Sequence, residues 1–524
     1  MPSLSRLPVG PGPLAAAVLS GLLLSLAFPR PEIWPLALPA LAPVLLAARG
    51  REPKVAFGLG FLAGLVHAGT LVYWLINVLV FFGGLPVWLA VPVFLLLVGY
   101  MALYPALFIL GMTRLENRLG WLAGGTTWIC AGAALYTGLE HFKGFFLTGF
   151  PWEPLGAALV PALPLIQVSD IVGTGGLTFL VVLVNMALTG LVIGLRERNR
   201  RVWIAAACWA AAPLLLAWGY GVYRLPEVRA ELNRAASHRV AIVQGSIEQK
   251  MKWDPSHRVF TMATYRDLTM RAAAEKPWLV VWPETAAPFF FLKDEAATDW
   301  LKRMVARSGR PLLFGAPAYE EKGDRTTYFN RAYLVDAQGR PLGWYAKSHL
   351  VPYGEYVPLK EWFPFLGKVT EAAGDYSPGP RGKLLDLDGE KIGVLICYES
   401  VFPELAREQA ANGAGYLVIM TNDAWFGRSS APYQHYAQAV LRAVENRRTV
   451  IRAANTGISG LIEPDGRTQC RLGLFERGYL SGRAPRPTGQ TFYTAVGDVV
   501  PWTCLGIAVM LLAAPFIRRQ EHVG

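Results

Sequence analysis

The chain is 524 residues long, which exceeds the usual size of one domain, so at least two domains are expected. Hydrophobic residues make up 53% of it, a fraction too high for a soluble protein of this length. The net charge of +12 does not indicate a nucleic-acid partner, because many basic residues lie in short loops between apolar segments.

Apolar runs of roughly 17–25 residues predict transmembrane helices. About eight such runs are present, near 11–28, 33–48, 55–75, 86–113, 119–139, 172–195, 202–220 and 496–517. We therefore predict a polytopic α-helical membrane domain at 1–220, with spans 1 to 7, and a last transmembrane helix with a cytoplasmic tail at 496–524. Residues 221–495, between them, have the mixed composition of a soluble domain.

The positions of the basic residues predict the orientation of these spans. Basic residues occupy alternate loops and the C-terminus: Arg49, Arg51, Lys54, Arg114, Arg118, Arg196, Arg198, Arg200, Arg201, Arg518 and Arg519. The loop at 76–85 is almost free of charge. Segment 140–150 contains a single lysine, Lys143, together with Glu140. Because short basic loops stay in the cytoplasm, both termini are predicted inside and 221–495 outside.

From Arg239 onwards, strand-like and helix-like segments alternate. The predicted strands are 239–244, 279–282, 311–315, 327–336, 392–396, 416–420, 449–454 and 457–463. The predicted helices are 256–275, 296–307, a helix that begins at Pro403, and 434–447. This order predicts a mixed sheet layered with helices.

Three chemically reactive residues end apolar, strand-like runs: Glu284, Lys347 and Cys397. A thiol is a weak nucleophile until it loses its proton, and a nearby carboxylate can accept that proton. A lysine can favour the thiolate and face the oxyanion that forms when the thiol attacks a carbonyl. Taken singly, each residue has an ordinary alternative: a helix N-terminal charge, a solvated loop cation and an inert core thiol.

Other residues in this half carry weaker signals. His435 begins an amphipathic helix and is expected to contact solvent rather than to pair with the thiol. Asp423 follows a strand and is expected to line the pocket, to form a turn or to cap a helix. A disulfide between Cys397 and Cys470 is the less favoured interpretation of these two cysteines. No Cys/His spacing suggests zinc and no Gly-rich loop suggests a nucleotide, so we expect no cofactor and no metal.

Three segments together resemble the nitrilase (carbon–nitrogen hydrolase) superfamily. They are Trp-Pro-Glu at 282–284, the stretch 345–355 that contains Lys347, and Cys-Tyr-Glu at 397–399. The resemblance implies an α/β domain built as an α-β-β-α sandwich. With the predicted spans around it, the chain is similar to the membrane-embedded branch of that superfamily, the apolipoprotein N-acyltransferases.

The resemblance also implies roles for single residues. Glu284 corresponds to the general base, Lys347 to the oxyanion-stabilising lysine and Cys397 to the acyl-carrying nucleophile of the family. Residues that correspond to supporting or substrate-binding positions are Glu355, Tyr398, Glu399 and Trp253.

The function that follows from the resemblance is lipoprotein N-acylation. A phospholipid, expected to be phosphatidylethanolamine, donates an acyl chain through a thioester on Cys397, and the α-amine of an N-terminal S-diacylglyceryl-cysteine accepts it. The expected location is the bacterial inner membrane, multi-pass, with the catalytic domain on the periplasmic side. The alternatives are a membrane-tethered amidase or nitrilase, and a transporter or scaffold with an inactive nitrilase-like domain.

Overall fold

The computed structural model describes residues 10–119, 124–252, 254–356 and 375–520 of the chain. Internal contacts divide these residues into two units, which we call the helical unit and the sandwich unit. The helical unit takes its residues from Met1–Ile76, Pro86–Arg224 and Asp498–Gly524. The sandwich unit takes its residues from Asn77–Leu85 and Leu225–Gly497.

The helical unit begins with a series of apolar helices. Those longer than a single turn are α1 (Pro11–Leu26), α2 (Ala42–Ala48), α3 (Pro53–Leu71), α4 (Val87–Leu119), α5 (Thr126–Lys143), α6 (Ser169–Arg196) and α7 (Arg200–Arg234), whose residues from Leu225 onwards belong to the sandwich unit. By length and composition, α3, α4, α6 and α7 can each cross a membrane. The apolar stretches Pro11–Leu26, Trp34–Ala48 and Val499–Ala513 are shorter.

The segment predicted as one span at 33–48 is broken in the structure. A 3₁₀ turn occupies Trp34–Ala37, and α2 begins only at Ala42. Pro35, Pro39 and Pro43 each lack a backbone N–H, so they prevent a continuous hydrogen-bonded helix through this segment. With its seven residues α2 rises about 10 Å, roughly a third of the hydrocarbon thickness of a bilayer.

Close helix packing in this unit depends on small residues. A Cβ atom added to Gly64 in α3 would lie 2.7 Å from the Cα of Ala102 in α4. One turn earlier, a Cβ on Gly60 would lie 2.8 Å from the carbonyl oxygen of Pro105. Two glycines four residues apart therefore let the α3 and α4 backbones approach each other closely, which is a common packing mode between apolar helices.

The described part of the sandwich unit contains two six-stranded sheets. The strands are β1 (Ser237–Gln244), β2 (Leu279–Val281), β3 (Leu312–Lys322), β4 (Arg325–Val335), β5 (Pro341–Ala346), β6 (Leu384–Leu387), β7 (Glu390–Ile396), β8 (Tyr416–Thr421), β9 (Thr449–Ala454), β10 (Ser459–Ile462), β11 (Thr468–Leu472) and β12 (Gly478–Pro485). The first sheet has the order β12-β1-β2-β3-β4-β5, and the second has the order β11-β10-β9-β8-β7-β6.

Alternation along the strands builds the core between the sheets. Val240 and Ile242 of β1 share an apolar cluster with Val394 and Ile396 of β7, so these faces of the two sheets pack together. The alternate residue Ala241 belongs to a second cluster, on the other face of the first sheet. That cluster includes side chains of α8 (Arg258–Ala273) and α9 (Glu295–Ser308).

Helices also cover the second sheet. α10 (Pro403–Ala411) packs on β7 and β8, and α11 (Ala431–Asn446) packs on β9 and β10. The unit is therefore an α-β-β-α sandwich, and the predicted combination of an apolar helical region with such a domain is confirmed at this level. The last described helix, α12 (Val499–Gln520), returns to the helical unit.

Parallel pairing brings polar residues to common edges of the sheets. β1, β2 and β3 run parallel in the first sheet, and β7, β8 and β9 run parallel in the second. Residues just after β2, β7 and β8 are Glu284, Cys397 and Asn422, while Lys347 follows β5 directly. Strand ends of this kind are where α/β folds usually place their sites.

Candidate active site

Cys397 lies at a sharp bend where a buried strand ends. β7 is fully buried from Ile392 to Ile396, and Cys397 then takes a φ of 54° and begins a 3₁₀ turn, Cys397–Val401. A non-glycine residue with positive φ costs on the order of 1–3 kcal/mol and persists only where its surroundings enforce it. The bend ends the sheet ladder at the sulfur-bearing residue.

Glu399 supplies part of that enforcement. Its fully buried carboxylate accepts a hydrogen bond from the backbone N–H of Ile396 at 2.7 Å. It also accepts from the backbone N–H and the hydroxyl of Ser348, both at 2.7 Å, from the N–H of His349 at 3.1 Å and from the hydroxyl of Tyr345 at 2.8 Å. This one carboxylate therefore ties the bend at Cys397 to the loop that carries Lys347.

Lys347 is buried between two carboxylates. Its Nζ lies 2.7 Å from Oε2 of Glu355 and 3.9 Å from Oε1 of Glu284, and the side chain is 1% exposed. Burial alone would lower the pKa of Lys347, but Glu355, Glu284 and the charge on Cys397 raise that pKa above its ordinary value. The lysine therefore stays cationic at neutral pH.

Glu284 is held by donors on both carboxylate oxygens. Oε1 accepts from the side-chain amide of Asn330 at 2.7 Å, and Oε2 accepts from the backbone N–H of Asn422 at 2.9 Å. The same Asn330 amide reaches Oε1 of Glu355 at 3.1 Å. The ammonium of Lys252 donates to the backbone carbonyl of Glu284 at 3.0 Å.

The electrostatics of the site keep the resting thiol protonated. Burial raises the pKa of Cys397, the charge of Glu284 raises it further, and Lys347 partly opposes both. A protonated thiol cannot attack a carbonyl efficiently, so the proton has to leave as the sulfur reacts. The charge of Glu284 acts on the thiol, so Glu284 is the carboxylate suited to receive the thiol proton.

His435 does not contact solvent, so that expectation is wrong. It is fully buried, with Nε2 2.7 Å from the hydroxyl of Ser400 and 3.1 Å from the carbonyl oxygen of Cys397. Its Nδ1 lies 3.0 Å from Oδ1 of Asp423. The pattern of α11 misled the prediction because the helix is buried on nearly every face, its polar side as well as its apolar side.

Asp423 is part of the same buried network. It begins the 3₁₀ turn Asp423–Phe426, and its Oδ2 lies 3.0 Å from the guanidinium of Arg452. Although burial would raise the pKa of Asp423, the neighbouring His435 and Arg452 lower it to about 2. The network of Asp423, His435 and Ser400 therefore holds the carbonyl oxygen of Cys397 in place.

Three further residues named in the sequence-based predictions are Tyr398, Trp253 and Cys470. Tyr398 is 7% exposed and packs edge-on against Phe402, with ring centroids 5.0 Å apart. Trp253 lies outside the described residues. Cys470 is a free thiol, as is Cys397, so the two form no disulfide.

Sequence reasoning missed Asn330, Lys252 and the buried role of His435. The signal for Asn330 was a polar residue inside a strand, β4, whose neighbours 331–335 are buried. Lys252 precedes Trp253 and carried no signal of its own. Across the described ranges, no three His, Cys, Asp or Glu side chains are arranged to hold a metal ion.

Comparisons with known proteins cover both units. Residues 239–492 match the carbon-nitrogen hydrolase family, and residues 20–187 match the apolipoprotein N-acyltransferase N-terminal domain. The apolipoprotein N-acyltransferase of Geobacter metallireducens is 41% identical over 510 residues, covering 97% of this chain and 96% of that protein. The chain belongs to the apolipoprotein N-acyltransferase family.

One further relative agrees with that assignment. The apolipoprotein N-acyltransferase of Azotobacter vinelandii is 35% identical over 98% of this chain and 96% of its own length. Among solved structures, an amidase from Nesterenkonia sp. is 24% identical, with a TM-score of 0.36 over 48% of this chain and 92% of that chain. The resemblance inferred from three motifs is thus confirmed along the chain, and the amidase alternative is not favoured.

Proposed function

We propose that this protein transfers a fatty acyl chain from a phospholipid to the α-amine of an N-terminal S-diacylglyceryl-cysteine on a lipoprotein. The observation that carries the proposal is that Glu284 and Lys347 lie 3.9 Å apart, with Cys397 near enough for both charges to act on its thiol, in a chain from this family. Glu355, Tyr398 and Glu399 support that site, and Trp253 is proposed to contact substrate.

The first half-reaction forms a thioester. Glu284 takes the thiol proton as the sulfur of Cys397 attacks the carbonyl carbon of a phospholipid ester. The resulting oxyanion is stabilised by Lys347 and by backbone N–H groups such as that of Tyr398. The carbon–oxygen ester bond then breaks, Glu284 returns the proton to the leaving oxygen, and a lysophospholipid departs.

The second half-reaction forms an amide. The neutral α-amine of the lipoprotein attacks the thioester carbonyl, and Glu284 accepts one of its protons. The carbon–sulfur bond breaks as the tetrahedral intermediate collapses, and the sulfur recovers the proton. The products are an N-acylated lipoprotein and the free thiol of Cys397, ready for another cycle.

The membrane setting follows from the substrates. Each methylene of an acyl chain favours an apolar environment by about 0.8 kcal/mol, so the thioester is best formed at a lipid surface. Phosphatidylethanolamine is the proposed donor. We place the protein in the bacterial inner membrane with a membrane domain at 1–220, a periplasmic catalytic domain at 221–495 and a last transmembrane helix at 496–524.

One contact in the helical unit supports this orientation. Arg49, in the loop before α3, lies 2.5 Å from Glu116 near the end of α4 and 2.6 Å from Glu197 after α6. These three positions all fall in segments predicted to be cytoplasmic. Their meeting at one end of the helical unit supports placing these three segments on the same side of the membrane, as the proposed orientation requires.

The experiment is to incubate the purified full-length protein with a phospholipid and a synthetic diacylglyceryl-cysteine peptide, and to measure the mass of the peptide by mass spectrometry. The matched control is Cys470→Ser, because Cys470 is another free cysteine of the same unit. Wild type and this control are both expected to add one acyl group to the peptide amine. Cys397→Ser is expected to add none. Formation of the acylated peptide by Cys397→Ser in the wild-type amount contradicts the proposal.

A further inference from the structure

Beside Lys347, a second lysine is buried at the active site. Lys252 ends a short helical turn, Gln249–Lys252, that follows β1, and it is 3% exposed. Lysine is almost never this buried unless its charge is used or paired. Its ammonium donates to the backbone carbonyl oxygen of Glu284 at 3.0 Å, on the residue proposed as the general base.

The charges that act on Lys252 are those of the reacting groups. The carboxylate of Glu284 and the sulfur of Cys397 both stabilise its ammonium form. Among the described residues, no carboxylate oxygen lies within 4.0 Å of its Nζ, whereas Lys347 lies 2.7 Å from Glu355. Lys347 is thus held by a carboxylate that takes no part in the proton transfer, and Lys252 is not.

The net charge of the site shows what Lys252 contributes. Of the four charged groups made up of Glu284, Glu355, Lys347 and Lys252, the two glutamates carry two negative charges and the two lysines carry two positive charges, so this set is neutral while the thiol is protonated. Moving the thiol proton to Glu284 leaves that sum unchanged, as does transfer of the negative charge from sulfur to an oxyanion. Without Lys252 this set of groups would carry an uncompensated negative charge at every stage, which is costly in a buried environment.

We propose that Lys252 is a second cation of the active site, which stabilises negative charge on the sulfur of Cys397 and on the tetrahedral oxyanion. The part concerning the oxyanion depends on the acyl transfer proposed above, whereas the part concerning the sulfur does not. A purely structural role is the competing explanation, since a neutral donor would also satisfy the carbonyl of Glu284.

The two explanations differ in their pH dependence. Burial lowers the pKa of Lys252 to about 8, although Glu284 and Cys397, the titratable groups that face it, act in the opposite direction. The cationic form is present below that pH and is lost as pH rises through it. Stabilisation of the thiolate by Lys252 therefore fades above pH 8, and a structural role predicts no such inflection.

The first test measures thiol reactivity without any lipid. The rate of alkylation of Cys397 by iodoacetamide is followed from pH 6 to 10 on the full-length protein, with peptide mass spectrometry to separate this cysteine from the others. Lys252→Met keeps an unbranched side chain that is one atom shorter and removes the ammonium, so it is expected to lower the rate at pH 7 about tenfold, equivalent to about one unit of thiol pKa. Lys252→Arg keeps the charge, so it is expected to retain the rate and to lose the inflection near pH 8.

Two controls keep the test decisive. Lys250→Met removes an exposed lysine from the same turn and is expected to leave the profile unchanged. Thermal unfolding of each variant reports whether the fold is intact, and Lys252→Arg tests the charge even where Lys252→Met unfolds. A wild-type profile in Lys252→Met, or a retained inflection in Lys252→Arg, overturns the proposal.

A parallel assay separates this inference from the proposed function. Thioester formation from a labelled phosphatidylglycerol, whose headgroup does not titrate in this range, is measured for the same variants. Thioester formation that is unaffected in Lys252→Met contradicts the inference and leaves the function standing. A Lys252-dependent alkylation rate with no thioester in wild type contradicts the function and leaves the assignment to the sulfur standing.

Discussion

At the scale of single residues, the candidate site holds opposite charges in fixed positions and does not lower the pKa of the resting thiol. Burial and Glu284 keep Cys397 protonated, while Lys347 stays cationic between Glu284 and Glu355. In the proposed mechanism, the thiol proton moves to Glu284 only when a carbonyl is in place for the sulfur to attack. Such an arrangement limits reaction of the thiol with other electrophiles between cycles.

Glu399 acts through the geometry of these groups. In Glu399→Gln, an amide nitrogen replaces one carboxylate oxygen and meets a backbone or hydroxyl donor, because five groups of four residues donate to this side chain. We expect the unfolding free energy to fall by about 1–3 kcal/mol. Thioester formation is expected to slow by about 100-fold, since a displacement of about 1 Å at a reacting group can cost that much.

Thermal unfolding and the rate of acyl-enzyme formation check this expectation. Glu408→Gln is the matched control, because Glu408 pairs with Arg381 at the surface, where such a pair contributes little. Equal behaviour of the two glutamine variants contradicts the role given to Glu399.

Asp423 makes stability depend on pH in the acid range. Its pKa in the folded protein is lowered to about 2, below the ordinary value of 3.8, so its contribution is complete above about pH 4 and is lost as pH falls towards 2. That contribution is on the order of 2 kcal/mol. Thermal unfolding of wild type and Asp423→Asn, scanned from pH 6 to 2, is expected to show a gap that narrows below pH 4. A gap that stays constant over this range contradicts the assignment.

At the scale of elements, the sequence predicted the buried strands and missed the edges. β1, β2, β3, β4, β7, β8, β9 and β10 were each predicted. β6, β11 and β12 were not predicted, and β5 was recognised only by the run that ends at Lys347. All four lie at the edges of their sheets, where side chains are half exposed and the apolar signal is weak.

The functional site was predicted unevenly for a related reason. Glu284, Lys347 and Cys397 follow the ends of strands within recognisable motifs, so sequence alone indicated them. Asn330 and His435 take part through long-range contacts, with Glu284 and with the carbonyl of Cys397, that no local pattern encodes. A buried polar face, as on α11, looks in sequence like a solvated one.

Helix packing in the helical unit predicts different effects on the unfolding temperature for two glycine-to-alanine substitutions in α3. Gly64→Ala places a Cβ 2.7 Å from the backbone of α4, so we expect a lower unfolding temperature in detergent. Gly58→Ala, also in α3, meets nothing within 4 Å and is expected to raise or maintain it, since alanine favours helix by up to about 1 kcal/mol over glycine. A stabilising Gly64→Ala contradicts the close approach of α3 and α4.

At the scale of the whole molecule, the chain combines a nitrilase-like sandwich with long apolar helices, a combination that suits the proposed transfer between substrates anchored in lipid. The proposed orientation predicts the accessibility of single positions. Asp388 is exposed in the sandwich unit, and Arg198 is exposed after α6. In spheroplasts, a membrane-impermeant maleimide is expected to label Asp388→Cys without lysis and Arg198→Cys only after lysis. The reverse pattern contradicts the topology.

The most direct measurement is the mass of the Cys397 peptide after the full-length protein is mixed with a phospholipid that carries one isotopically labelled acyl chain. We expect a labelled acyl group on Cys397 as a thioester, which hydroxylamine releases and which a diacylglyceryl-cysteine peptide discharges into an amide of the same label. Formation of the labelled amide with no acyl group ever detected on Cys397, or with the label on another residue, would contradict the central claim.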